Sequence, residues 1–355
     1  MRIFRIVLVL AAASVTLARV AGIDQLEEVA QGDWAWTIPD GFPEPVVPSD
    51  NPMGAAKVKL GRYLFYDQRM SVNGRGSCST CHIQSRGFAD SRPVAIGVTG
   101  ERHPRRAMPL ANVAYFGLFN WANPTVHRLE DQSKTPLFGT HPVELGLSEN
   151  DRFLKVLQSD GVYRGLFPAA FPGESGSWNF EHVRKSLAAF ERVLLSGSSP
   201  YDRYHFGGDE KAISESAKRG EDLFFHQPFN CRRCHGGFTF GGGPTVLRKQ
   251  VEDTTAAETE FFNTGLYNLP GPFSFPLDNL GLYEFTKDLK DVGKFRAPSL
   301  RNVAVRAPSC MMAASPLLVR YSTTTPPEAI VFIVAAMQER ATRIRTRADS
   351  SEVFL

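Results

Sequence analysis

The chain has 355 residues, of which 43% are hydrophobic, 11% aromatic and 22% charged. These ordinary fractions exclude collagen-like, disordered and polytopic membrane classes, and the length suits two domains, each with its own core. The 40 basic and 37 acidic residues leave a formal charge of +3 with no basic block, so nothing points to a nucleic-acid partner.

Met1–Arg5 is a short basic start, and Ile6 to Ala18 is an apolar run. The run is shorter than the ~20 residues of a membrane-spanning helix and fits a secretory signal. Cleavage after Ala18 or Ala21 sets residues 1–21 aside as a signal peptide. The mature protein is then expected in an exported, periplasmic space and not as an integral membrane protein; an uncleaved anchor is the competing reading. Asn51-Pro52 reads as a helix start, with Pro at the first helical position. The run Lys57–Phe65 (KVKLGRYLF) follows as a helix containing a Gly and ending in paired aromatics, and it leads into Cys78-Ser79-Thr80-Cys81-His82. Another helix is expected over Asn179–Leu195, where Phe180, Val183, Leu187, Phe190 and Leu194 recur at spacings of three and four. Gly197-Ser198-Ser199-Pro200 ends it and divides an N-terminal domain (22–196) from a C-terminal one (197–308). In the second domain Lys218–Phe225 (KRGEDLFF) leads into Cys231-Arg232-Arg233-Cys234-His235, a weak repeat of the first arrangement. No stretch alternates polar and apolar residues for long, and Pro (24) and Gly (30) are frequent. The expected fold is mainly α, two cytochrome c-like domains joined by long ordered loops. The 26 Phe suit cores built around something large and flat.

The chemistry lies in the cysteines. Four of the five form two copies of Cys-x-x-Cys-His, the attachment site of a c-type haem. Two thiols one turn apart add to the two vinyl groups of one porphyrin, and the next residue, His, is carried under the ring to ligate iron. The competing readings are a zinc site built from both Cys pairs and a redox dithiol, which does not need the His. Two copies behind an export signal favour two covalent haems c, held by Cys78, Cys81 and His82 and by Cys231, Cys234 and His235.

Further segments make the chain resemble the bacterial di-haem cytochrome c peroxidase/MauG family. They are LGRYLFYDQRMS, CSTCH, LANVAYF, HPVELG, FPAAFPGE, AFERVLL, KRGEDLFF, CRRCH and FRAPSLRNVAVRAP, spread from about Asn51 to Pro308. DNPMGAAKVKLGRYLFYD and TGERHPR look most like the MauG-like branch that includes the MbnH enzymes, in which two haems cooperate to oxidise a protein side chain. The resemblance implies that the N-terminal haem meets hydrogen peroxide and the C-terminal haem transfers electrons. Relatives often cap the first haem with a His in an Ile-Gly-His context; here the match is Ile96-Gly97-Val98, and Val cannot ligate iron. His103 lies five residues on and could substitute as the capping ligand, but in a polar RHPRR loop a surface or packing role is expected. Glu144, in Pro142-Val143-Glu144-Leu145, matches the family's acid–base residue, and an apolar setting would raise its pKa. Gln132 and Pro136 resemble residues lining the MauG distal pocket. Trp121 matches the Trp between the haems, with core packing as its alternative. Asn112, Arg296 and Pro298 are the candidates for an inter-domain calcium ion, although Arg106 stands where relatives often have Asn.

The C-terminus departs from the family. After Pro308, relatives continue Tyr-Met-His-Asp-Gly; this chain reads Ser309-Cys310-Met311-Met312-Ala313. Deleting one A from CCC-TAC-ATG-CAT-GAT-GGC gives CCC-TCA-TGC-ATG-ATG-GC, which encodes Pro-Ser-Cys-Met-Met-Ala. The shifted frame also permits the family's next residues through Ala329, with the ligand Tyr across Thr324 and Thr325. Residues 309–355 therefore read as an out-of-frame tail, from a real lesion or a sequencing error. Such a tail leaves the second haem with only Met311, Met312 or Met337 as chance sixth ligands, and gives Cys310 no role. Two functions follow: a peroxide-using di-haem oxidoreductase, taking electrons from a small donor protein or from a side chain of a protein substrate, or a non-catalytic di-haem electron carrier.

Overall fold

The computed structural model describes residues 34–148, 153–174, 178–241, 260–265 and 275–306. The expected signal peptide at 1–21 and the aberrant tail at 309–355, with Cys310 and its three methionines, lie outside the described residues. In chain order the helices are α1 (Ala55–Tyr66), α2 (Cys78–Cys81), α3 (Leu129–Gln132), α4 (Lys134–Phe138), α5 (Phe153–Ser159), α6 (Gly161–Ala170), α7 (Phe180–Arg192), α8 (Pro200–His205), α9 (Glu215–Phe225) and α10 (Tyr283–Thr286). Among the described residues the sheet is one antiparallel pair of two-residue strands, β1 (Phe261–Phe262) and β2 (Phe295–Arg296). The structure is thus mainly helical with long connections, as the absence of alternation predicts. No helix among the described residues is long and apolar enough to cross a membrane.

The core of the N-terminal half is the crossing of α1 on α7. α7 begins where Asn179 caps it, its side chain accepting from the His182 N–H. Phe180, Val183, Leu187 and Phe190 then fall on one buried face, against Leu60, Leu64 and Phe65 of α1. Gly61 makes the crossing possible. A Cβ there would lie 1.9 Å from the Ser186 carbonyl oxygen, so the two backbones touch where any side chain would separate them.

α1 starts later than Asn51-Pro52 suggests, at Ala55. Asn51 is fully buried and works in a polar network instead. Its amide donates to Glu130 Oε1 (2.6 Å) and to the Lys185 carbonyl (3.0 Å), while Lys57 Nζ donates to Asn51 Oδ1 and to the Pro52 carbonyl. Arg192 completes the network with a 2.8 Å ion pair to Glu130. Removing one partner of such a buried pair costs about 3–5 kcal/mol. The network fixes α3 against α7, and so places the residues that follow Glu130 on the wall of the site.

The N-terminal segment does not stay with the first domain. Phe42 packs edge-on to Tyr115, Phe206 and Phe238, and the Arg301 guanidinium lies over its ring. Ser196, at the expected domain boundary, is bonded to Asn112 on one side and Asn302 on the other.

Candidate active site

The first Cys-x-x-Cys-His folds as the single turn α2, capped by Ser77 and Thr80. Cys78, Cys81 and His82 form one wall of a cleft whose other walls come from residues 95–98, 132–137, 142–145 and α7. The His82 Nδ1–H donates to the Phe88 carbonyl (2.9 Å), the tautomer in which Nε2 carries the lone pair. Burial holds the ring's pKa below the ordinary value, so it stays neutral, the form that binds iron. Phe88 can accept this bond because its backbone is left-handed, at φ 58°. Burial also raises both thiols, most at Cys78, and Arg92 lies 3.4 Å from Cys81 Sγ. These residues fit a haem c: two thiols one turn apart and a neutral, oriented imidazole, all facing one cavity.

Facing α2 across the cleft are Val98, His103, Gln132, Pro136 and Glu144, with Leu187 and Glu191 of α7 at one side. The structure thus brings Glu144, Gln132, Pro136 and the first haem-attachment triad to one place. α4 sets the height of the Glu144 segment: the Leu145 N–H donates to the Pro136 carbonyl and the Leu147 N–H to the Leu137 carbonyl. The loop 95–105 closes over it. Ala95 and Arg105 pair across the base of this loop, and the Val98 N–H donates to the Glu144 carbonyl (2.9 Å). A Cβ on Gly97 would lie 1.7 Å from the Val143 carbonyl oxygen, so only Gly allows this approach. Burial pushes the Glu144 carboxyl up to about 7.

Two further residues line the cleft. His103, for which a surface or packing role is the sequence expectation, lies with Nε2 3.6 Å from Glu144 Oε1. Glu191 shares the wall; burial pushes its carboxyl up to about 8, and its Oε2 has no hydrogen-bond partner. A signal for Glu191 existed: it lies four residues after Leu187, on the apolar face of α7.

Trp121 lies outside this cleft, packed with Ala122 and Phe295 where the N-terminal half meets β2. Its indole N–H donates to the Arg106 carbonyl (2.8 Å), and its own carbonyl accepts from the Arg296 N–H. Gln132 reaches toward the same seam, 3.5 Å from Asn120 Oδ1. The residues expected at a calcium ion are engaged with protein partners. Asn112 spends both ends of its amide on the Ser196 backbone. The Arg296 guanidinium donates to the Asn120 carbonyl, and the Pro298 carbonyl stands beside His235. Among the described residues no group of three or more His, Cys, Asp or Glu converges on one point, and the two Cys pairs do not come together.

The second motif repeats the first with more exposure. Cys231–Arg233 is a 3₁₀ turn, and the His235 Nδ1–H donates to the Phe240 carbonyl (3.2 Å), again a Phe with positive φ. Burial keeps this ring neutral too. An open concavity beside it is lined by Phe225, Asn230, Arg232, Arg233, Gly236 and Gly237.

Known proteins match this arrangement. The family model for di-haem cytochrome c peroxidase matches residues 55–211. The chain is 31% identical over 317 residues to the cytochrome-c peroxidase IdrP1 of Denitromonas iodatirespirans, covering 81% of this chain and 77% of that one. It is 38% identical over 202 residues to the methylamine utilization protein MauG of Methylorubrum extorquens, covering 57% and 54%. Among solved structures, a MauG-like protein associated with microbial copper homeostasis superposes with a TM-score of 0.75 at 36% identity, covering 84% of this chain and 94% of that one. With its two Cys-x-x-Cys-His turns and the helical frame around them, the chain belongs to the di-haem cytochrome c peroxidase family.

Proposed function

We propose that this peroxide-dependent di-haem oxidoreductase works in the MauG-like manner, drawing electrons from a side chain of a protein substrate in the periplasm. The 36% identity to a MauG-like structure over most of both chains supports this mode. The carrying observation is the cleft opposite His82, where Val98 stands at the expected capping position and a carboxyl of raised pKa faces the space. Cys78, Cys81 and His82 would hold a haem, which would supply the electrons that split the O–O bond of peroxide. The chain's own residues do the rest. The Glu144 carboxylate takes a proton from one peroxide oxygen and returns it to the other, which leaves as water. Val98, Pro136 and Leu137 keep bulk water from the same space, and Gln132 offers an amide to the bound oxidant. Trp121, packed against Phe295 of β2, passes electrons from the C-terminal half in this reading.

His103 does not cap the iron in this reading, because its Nδ1 lone pair is taken by the Arg105 N–H (3.1 Å). The all-ferric protein then reacts with peroxide without prior reduction. The experiment is one equivalent of peroxide added to the fully oxidised, haem-loaded protein, with absorbance followed across the Soret band. A high-spin component that changes within the mixing experiment supports the reading. A purely low-spin, inert spectrum refutes it and favours the electron carrier. A reaction that occurs only after reduction by a small cytochrome or copper protein favours the donor-dependent peroxidase instead.

A further inference from the structure

We propose that His103 is a positioning residue of the peroxide site, whose Nε2–H holds the Glu144 carboxylate turned into the cleft. The inference rests on the reading of Glu144 as the acid–base group. It follows from three observations about the loop 95–105.

The tautomer of His103 is fixed from outside the cleft. The Arg105 backbone N–H points at Nδ1 from 3.1 Å, so Nδ1 is the acceptor and the ring proton sits on Nε2. That nitrogen is the one that faces Glu144, with Nε2 3.6 Å from Oε1. The gap is longer than a hydrogen bond. Catalytic bonds of this kind tighten when the site is loaded.

The ring is also a donor that cannot give its proton away. Burial, and then the nearby Arg105 guanidinium, push His103 down to about 4. At neutral pH it is an uncharged N–H that orients a carboxylate, and Glu144 keeps the proton traffic to itself. An imidazole with Nδ1 bonded to a backbone amide and Nε2 protonated has no lone pair for iron.

The ring and the carboxylate are carried on two strands of chain that are zipped together. The His103 N–H donates to the Ala95 carbonyl (2.8 Å), and the Gly97 N–H to the Glu101 carbonyl (2.9 Å). The Glu101 side chain in turn accepts from the Val143 N–H (2.5 Å), beside Glu144. The Val98 N–H holds the Glu144 carbonyl itself. The distance between imidazole and carboxylate is thus set by backbone contacts on both sides of the pair.

The test uses the haem-loaded full chain with His103→Leu, which removes the donor, and His103→Gln, which replaces Nε2–H by an amide N–H of similar reach. Two readouts are taken: the second-order rate with peroxide, and the affinity of the ferric protein for cyanide, which binds after HCN passes its proton to the distal base. His103→Leu is expected to lower both about tenfold, the size of one hydrogen bond to a charged group, with unchanged ferric spectrum and haem content. His103→Gln should recover most of the loss. In a Glu144→Gln background, His103→Leu should have no further effect. If Glu144→Gln slows the reaction but His103→Leu does not, the positioning role is refuted and the acid–base reading survives. If Glu144→Gln itself changes nothing, the underlying reading falls instead. A low-spin to high-spin change in His103→Leu would make His103 an iron ligand and overturn the proposal.

Discussion

The raised pKa of Glu144 gives a sharp expectation for the pH dependence of the peroxide reaction. The base must be ionised to take a proton. A carboxyl at the ordinary 4.5 would be ionised throughout pH 6–8, and the rate would be flat. Burial pushes it up to about 7. It is then about one-tenth ionised at pH 6 and about nine-tenths at pH 8, so the rate should rise roughly tenfold across that window. The assay is stopped-flow absorbance of the first phase after peroxide, from pH 5.5 to 8.5. His103, pushed down to about 4, is uncharged over this range and contributes no inflection there. Glu191, pushed up to about 8, is the other buried carboxyl on the cleft wall, so the inflection is assigned by substitution. Glu144→Gln keeps the shape of the side chain, and should slow the reaction by ~10²–10⁴-fold and flatten the profile near 7. A flat profile in the unaltered protein, or one that survives Glu144→Gln, would refute the assignment.

Cys78→Ala and Cys231→Ala should each remove one covalent haem, halving the pyridine haemochrome absorbance per protein; full absorbance in both would end the di-haem assignment of these turns. Gly97→Ala places a Cβ against the Val143 carbonyl. It should lower thermal stability by about 1–3 kcal/mol and slow the peroxide reaction, because the loop that carries Val98 and His103 must lift from Glu144; unchanged melting and kinetics would show that the approach is not needed. Restoring the reading frame after Pro308 should give the second haem a low-spin ferric signal that the chain with residues 309–355 lacks; identical spectra of the two proteins would mean that the tail does not touch that haem.

What the sequence made legible was local. α7 carries its cap, Asn179, directly before the thirteen residues that hold its apolar face, and each Cys-x-x-Cys-His is complete in five. α1 was legible in its body but not in its start, because Asn51 is claimed by Glu130 and the Lys185 carbonyl, far along the chain. The same reason hid His103. Within its own RHPRR loop it looks like a solvated residue. It becomes part of the site only when Gly97 lets that loop lie on Val143. Glu144 was found through resemblance, since one carboxylate in an exposed-looking HPVELG segment carries no mark of its own. Its raised pKa comes from burial, by walls contributed by α2, α4 and α7 together.

The two Cys-x-x-Cys-His turns also share a device written elsewhere in the sequence. Leu110-Ala111-Asn112-Val113-Ala114 and Leu300-Arg301-Asn302-Val303-Ala304 match at every position but the second. In each, Asn takes a left-handed backbone, at φ 64° and 58°, and opens a 3₁₀ turn over the next three residues. Asn tolerates that conformation better than most residues. Both side chains then meet at one residue: Asn112 bonds the Ser196 backbone and Asn302 its hydroxyl. A second pairing runs alongside, with Phe88 and Phe240 each left-handed and each accepting the Nδ1–H of its own His. The orientation of each imidazole is therefore tied to its own Phe turn, and the two halves are tied to each other at Ser196. Gly87, next to Phe88, lies against Asn302, so the first histidine's loop touches the second half's Asn turn. Short hydrogen bonds thus orient each imidazole within its own half and join the two halves at Ser196.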